Sequence, residues 1–304
     1  MRILFMGTPD VAAASLQAIW DAGHTICGVF TREDKPVGRK QVLTAPPVKE
    51  LALKLGIPVY QPKTLRTADV WEEIQQLNPE LIVVVAYGRI LPKEVLEIPQ
   101  YGCINLHVSL LPKYRGAAPV QWAVINGETQ TGVSIMYLDE GLDTGDILAV
   151  APVEIDPEET SGELFERITQ QGAKTLVETI QLIGEGKAER TPQDHSQATQ
   201  APPLTKEMAQ FDFHRPSQQL HNLIRGMNPW PIAYFLYEDK KIKVRKSKLS
   251  QMQGKPGQIL SLNPLTIGCS EGALELLEVV PEGSKPMTGA AFAAGRRFAV
   301  GDSI

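Results

Sequence analysis

The sequence has no run of 18 or more apolar residues, so no segment is expected to span a membrane. Cysteine is scarce. Cys27, Cys103 and Cys269 are the only three, widely spaced and in apolar surroundings. They suit reduced thiols rather than a disulfide framework. Neither these cysteines nor the five histidines show zinc-ligand spacing, so no metal is expected. A Gly-x-Gly-x-x-Gly fingerprint and a Gly-x-x-x-x-Gly-Lys-Ser/Thr loop are both missing. The opening Phe5-Met6-Gly7-Thr8-Pro9-Asp10 therefore reads as a helix entry after a first strand, with neither NAD nor ATP bound. No internal repeat is present. Arg2-Ile3-Leu4-Phe5-Met6 is already strand-like, which leaves no presequence ahead of it and leads us to expect a cytoplasmic protein.

What is there is a globular composition, 43% hydrophobic and 21% charged over 304 residues, enough for one large domain or two ordinary ones. The net charge of −5 conceals an asymmetry. Residues 206–304 hold 13 Lys and Arg against 9 Asp and Glu, while the first 205 hold 17 against 26. A basic portion on an acidic body hints at a polyanionic partner.

The first half alternates apolar runs with helix-like stretches. The runs fall at 2–6, 26–30, 81–86, 103–108, 132–138 and 147–152, the helices at 9–22, 47–56, 69–77 and about 117–126. That alternation predicts an α/β fold, a doubly wound and mostly parallel Rossmann-like sheet with ligands at the carboxyl ends of its strands. Leu81-Ile82-Val83-Val84-Val85-Ala86, apolar on both faces, is the strongest central strand. Thr160 with Glu163 reads as a capping box opening a further helix through Leu164, Ile168, Leu176 and Ile180. The polar stretch 189–205 reads as a linker, which divides the chain into 1–188 and 206–304. Beyond it, a helix at 216–226 precedes short strands at 232–238, 241–246, 257–262, 265–269 and 273–280, which suggest a small OB-like β-barrel.

The chemistry concentrates in Asn105, His107 and Asp143. On a strand over 102–107, a period of two sets Asn105 and His107 on one face and Ile104 and Leu106 on the other. An amide and an imidazole thus emerge where the strand ends. A carboxylate from the glycine-flanked run Gly141-Leu142-Asp143-Thr144-Gly145-Asp146 could set the imidazole's charge and orientation. These are parts for acyl transfer without a nucleophilic Ser or Cys.

Together with Ile104-Asn105-Leu106-His107, the runs Ser109-Leu110-Leu111-Pro112, Arg115-Gly116-Ala117-Ala118-Pro119, Gly141 to Asp146 and Asn228-Pro229-Trp230-Pro231 resemble the 10-formyltetrahydrofolate-dependent formyltransferase family over nearly the whole chain. The resemblance implies transfer of a formyl group from N10 of the folate to an amine through a tetrahedral oxyanion. Asn105 and His107 would stabilise that oxyanion. Asp143 would hold His107 protonated and accept the amine's proton through water, with Asp146 the nearest alternative carboxylate. His107 as the direct base is a competing assignment. The family equivalent of Ser109, Leu110, Leu111 and Pro112 helps bind tetrahydrofolate. Tyr87, Gly88 and Ile90, after the central strand, would line the same cleft, with Gly88 letting the backbone approach a flat pterin.

Lys240-Lys241-Ile242-Lys243-Val244-Arg245-Lys246-Ser247-Lys248 suggests the second substrate. On a strand Lys241, Lys243 and Arg245 form one positive row over buried Ile242 and Val244. Taken alone this could be a basic edge strand that blunts aggregation. The polar loop 31–48, with Arg39 and Lys40, resembles one that tRNA-directed members insert to engage the acceptor end of initiator tRNA. Family resemblance and basic row together imply initiator methionyl-tRNA as acceptor, with Trp230 as a packing anchor and the protein a monomer. The rival acceptors are an amino-sugar nucleotide and water. A non-catalytic RNA-binding protein is the rival outside enzymes. His195, His214 and His221 receive no role.

Overall fold

The computed structural model describes residues 1–38 and 41–304. The expected Arg39 and Lys40 contacts lie outside the described residues. Two compact units are interleaved in sequence. One comprises 1–116, 132–153 and 167–200, the other 117–131, 154–166 and 201–304.

The first unit is an α/β layer built on β1 (Arg2–Gly7), β2 (Thr25–Phe30), β5 (Val59–Tyr60), β6 (Leu81–Val85), β7 (Cys103–His107), β9 (Gln130–Tyr137) and β10 (Ile147–Glu154). They lie in the order β10-β9-β7-β6-β1-β2-β5, parallel from β7 to β5, with β9 antiparallel to β7. All five residues of β6 are buried, as a strand covered on both faces requires. On one face Leu4, Met6, Ile82, Val84 and Cys103 pack with Val70 and Ile74 of α3 (Ala68–Leu77) and Val95 of α4 (Lys93–Leu96). On the other, Gly172 of α6 (Ser161–Gly184) lies against Leu106 and Val133, where a Cβ would come within 3.0 Å of Leu106. The helices α1 (Asp10–Asp21) and α2 (Pro47–Lys54) complete the early βα units. From β1 the chain runs outward to β5, then returns to β6 on β1's other side. That reversal opens a crevice at the carboxyl ends of β1 and β6.

Three local features refine the sequence expectations. The loop 31–48 contains a short hairpin, β3 (Lys35–Val37) with β4 (Val42–Thr44). Thr160 and Glu163 form a reciprocal capping box. The Thr160 N–H donates to Glu163 Oε2 at 2.8 Å and the Glu163 N–H to Thr160 Oγ1 at 3.3 Å. The first of these bonds holds the Glu163 carboxyl below its ordinary range. Thr160→Ala is expected to destabilise the fold by about 1 kcal/mol, read as a lower midpoint in urea unfolding with an unchanged m-value. The stretch 189–205, expected as a linker, is hydrogen-bonded: Ile147 and Thr191 bridge, and the Arg115 N–H, in β8 (Arg115–Gly116), donates to the Thr199 carbonyl at 2.8 Å. Its polar composition masks backbone pairing that composition does not encode. It ends at β11 (Gln200–Ala201).

The second unit contains α5 (Pro119–Ile125), α7 (Ser217–Gly226), α8 (Gly289–Arg296) and an antiparallel sheet of β12 (Tyr234–Tyr237), β13 (Lys240–Ser250), β16 (Ala273–Pro281), β15 (Leu265–Gly268) and β14 (Ile259–Leu262), with β17 (Met287–Thr288) on β16. Phe211, Phe213, Phe235, Ile242, Val244, Leu274 and Phe292 are among its core residues. Arg225 on α7 is buried and donates to the carbonyls of Asp156 and Glu159 at 3.2 and 2.9 Å.

Candidate active site

At the end of β7, Asn105 faces Met136 across the strand pair and His107 faces Ser134. The alternation is as expected, with Ile104 and Leu106 buried. The Asn105 side chain is half-buried and its amide has no hydrogen-bond partner among the described residues. His107 is buried. Its Nε2 lies 2.9 Å from the Tyr114 carbonyl, which only accepts, so Nε2 bears a hydrogen. Its Nδ1 faces Asp143 Oδ2 at 3.7 Å, beyond hydrogen-bond reach. The Asp143 carboxylate is 12% exposed and accepts from the Gly116 N–H at 2.8 Å. Asp143 itself sits at φ +54°, a left-handed backbone that a non-glycine residue adopts at a cost. The loop closes through Asp139, whose Oδ1 accepts from the Gly141 N–H at 2.9 Å and from Thr144 Oγ1 at 2.6 Å. Gly145 is required by close approach: a Cβ there would lie 1.9 Å from the Tyr137 carbonyl oxygen.

Consequently the three residues expected to act together are brought together. An unemployed amide and a ring nitrogen share one strand end, and a carboxylate faces that nitrogen. Cys103, two residues before Asn105, offers no alternative nucleophile, because burial pushes its thiol up to about 12.

The remaining expected contacts divide. Gly88 and Ile90 line a cavity of about 310 Å³ with Arg32, Leu65, Arg66 and Arg89. Arg32 donates to the Gly88 carbonyl at 2.8 Å, and Arg89 donates to the Lys63 carbonyl. Three guanidinium groups make this cavity suited to carboxylates. Tyr87 is in the core and Ser109 is buried, its hydroxyl donating to the Lys113 carbonyl at 2.7 Å. Any contact of theirs with a ligand would come from the main chain. Leu111 is buried and Leu110 and Pro112 are partly so, on the turn that leaves β7.

In the second unit Lys241, Lys243 and Arg245 are exposed on one row of β13, with Ile242 and Val244 buried beneath. A bulge after Val244 also turns Lys246 outward. Lys241 lies over the Tyr234 ring at 4.5 Å and Arg245 pairs with Glu278 at 2.8 Å, whereas Lys243 has no ion-pair partner among the described residues. Since β13 pairs with β12 on one side and β16 on the other, protection of a sheet edge does not account for this row. Trp230, expected as a packing anchor, is 53% exposed and does not serve as one. The residues before it are held instead, with the Asn228 amide donating to the Arg245 carbonyl at 2.8 Å and the Asn228 carbonyl accepting from Ser161 Oγ at 2.8 Å.

The family model for formyl transferase matches residues 1–180, and that for the formyl transferase C-terminal domain matches 203–297. The chain belongs to the formyl transferase family. Among the relatives of this formyl transferase, the methionyl-tRNA formyltransferase of Alkaliphilus oremlandii is 46% identical over 100% of this chain and 97% of its own. That of Clostridioides difficile is 53% identical over 82% and 81%. Among solved structures, an N-formyltransferase from Helicobacter canadensis in complex with folinic acid and dTDP-3-aminofucose superposes with a TM-score of 0.69 at 20% identity, over 90% of this chain and 97% of that one. HypX from Aquifex aeolicus with tetrahydrofolic acid gives 0.63 at 18%, over 100% and 49%. At those identities the likeness is one of fold. Among the described residues of this formyl transferase no cluster of metal ligands is present, and no helix is long and apolar enough to cross a membrane.

One contributor to the site carries no signal in the sequence. Gln193 is buried, and its amide reaches the main chain of the Asp143 loop. It lies in a polar run without periodicity, so nothing in the pattern distinguishes it from surface glutamines.

Proposed function

We propose that this formyl transferase moves the formyl group of 10-formyltetrahydrofolate to the α-amine of initiator methionyl-tRNA, releasing N-formylmethionyl-tRNA and tetrahydrofolate. The observation that carries the chemistry is the juxtaposition of a free Asn105 amide, His107 Nδ1 and the Asp143 carboxylate at the end of β7. The identity of the acceptor rests on the relatives named above and on the basic row of β13.

The amine attacks the formyl carbon and the carbonyl oxygen becomes an oxyanion. Asn105 Nδ2 donates to that oxygen. With Nε2 committed to the Tyr114 carbonyl, His107 can donate only through Nδ1, and hence only as the imidazolium. Asp143 faces that nitrogen and stabilises its charge. It also accepts the proton released by the attacking nitrogen, which is returned to N10 as the C–N10 bond breaks. No covalent enzyme intermediate is needed, because a deprotonated α-amine is already a competent nucleophile. The cavity lined by Arg32, Arg66 and Arg89 would take the folate's glutamate carboxylates, with Gly88 and Ile90 toward its ring system. We assign residues 1–188 to catalysis and 206–304 to tRNA binding, and we place the enzyme in the cytoplasm as a monomer.

The deciding experiment offers 10-formyltetrahydrofolate with initiator methionyl-tRNA, elongator methionyl-tRNA or an amino-sugar nucleotide. Transfer to the initiator tRNA alone is expected. Transfer to the sugar, or release of formate without acceptor, would leave the Asn105, His107 and Asp143 chemistry standing and remove the tRNA. Recognition through phosphates should make KM for tRNA rise with salt, about 150-fold between 50 and 200 mM for some four contacts. KM for the folate should move far less, and Lys243→Ala should lower the slope for tRNA by about one.

A further inference from the structure

We propose that Gln193 is a positioning residue for formyl transfer, fixing the main chain that carries the Asp143 carboxylate, from Asp143 to Gly145. The inference rests on Asp143 being the proton acceptor proposed above. Gln193 is 7% exposed, and each of its amide hydrogens has an acceptor in the catalytic loop: Nε2 donates to the Asp143 carbonyl at 3.0 Å and to the Gly145 carbonyl at 2.8 Å. Its Oε1 accepts from Arg115 Nη2 at 2.6 Å. A guanidinium only donates and a carbonyl only accepts, so the network permits one orientation of the amide.

These bonds close a ring around the carboxylate. Arg115 reaches Gln193 through its side chain, and the N–H of its neighbour Gly116 donates to Asp143 Oδ2. Gln193 completes the circuit at the Asp143 carbonyl. Arg115 is itself held, with Nη2 also 3.0 Å from His195 Nδ1, which therefore accepts. The ring encloses a residue at φ +54°. A left-handed non-glycine residue persists only where its surroundings over-determine it, and two donations spanning Asp143 to Gly145 do so. Without them the loop can relax toward ordinary backbone, and the 3.7 Å approach of carboxylate to His107 is the distance that changes.

Gln193→Ala is expected to lower kcat about 100-fold, with KM for both substrates within about twofold of the parent, because a misplacement near 1 Å costs about that factor. Gln193→Glu keeps the shape and the Arg115 contact but turns an acceptor toward two carbonyls, and should lose kcat to the same extent. The discriminating readout is a double-mutant cycle with Asp143→Asn. In that background Gln193→Ala should cost less than about threefold, since it acts through a carboxylate no longer there. Normal kcat in both Gln193 variants, or a full 100-fold loss in the Asp143→Asn background, would overturn the positioning role while leaving Asp143 in place. Failure of both variants to fold would overturn it too, in favour of a purely structural glutamine. If instead Asp143→Asn itself turns over normally, the catalytic reading falls, independently of Gln193.

Discussion

Asp143→Asn is expected to reduce kcat by about three orders of magnitude, with His107→Ala matching it and neither changing tRNA affinity by more than about twofold. General acid–base groups contribute about 10²- to 10⁴-fold, and this carboxylate is assigned two tasks, so the upper half of that range applies. Asparagine preserves the size of the side chain and can still accept from the Gly116 N–H. It removes the negative charge facing His107 Nδ1 and the capacity to take a proton from the amine. The loss should appear in the single-turnover rate, because the defect lies in the chemical step and not in assembly of the complex. In His107→Ala the Tyr114 carbonyl loses its donor as well, so a part of that variant's loss would be conformational. Near-normal single-turnover rates in either variant would remove that residue from the mechanism. The basic row of β13 belongs to the other compact unit, which is why tRNA affinity should be spared.

The parallel sheet and the strand that carries Asn105 and His107 were legible in the sequence because their signals are local. A continuous apolar run such as Leu81–Val85 has few alternatives to a central strand, and a period of two fixes which side of β7 carries Asn105 and His107. The capping box at Thr160 and Glu163 was readable for the same reason. What sequence reasoning missed depends on contacts between distant segments. The role of Gln193 follows from Ile147–Thr191 bridging, which draws a polar stretch onto a loop some fifty residues earlier. Segments 117–131 and 154–166 join the second compact unit, a division that no single composition shift along the chain could reveal. Ser109 sits in a run that resembles a folate-binding loop and Tyr87 follows the central strand toward the same cleft, yet both side chains are turned inward. A motif fixes where the backbone goes more firmly than where each side chain points. Trp230 shows the opposite failure, since a large apolar residue between two prolines reads as an anchor and stands in solvent.

Asn105→Ala should lower kcat by about 10²- to 10³-fold, the range found when one oxyanion donor is removed. The size follows from how the amide is held. Its side chain is half-buried and has no partner among the described residues, so it is free to donate when negative charge develops. In a site partly shielded from water, such a donor acts at a lower effective dielectric and meets its charge without reorganisation. Truncation to alanine removes the donor and leaves the β7 backbone, paired to β6 and β9, where it was. The melting temperature should therefore stay close to that of the parent. Asn105→Asp is the sharper variant, because it places an acceptor where the oxyanion forms and should be worse than alanine. If Asn105→Asp retained more activity than Asn105→Ala, the amide would not be an oxyanion donor, and His107 Nδ1 would be left as the one donor assigned to that oxygen. Should both substitutions raise KM for the folate with kcat intact, Asn105 would bind the formyl group equally in ground and transition states, and the stabilisation assigned to it would move elsewhere in the site.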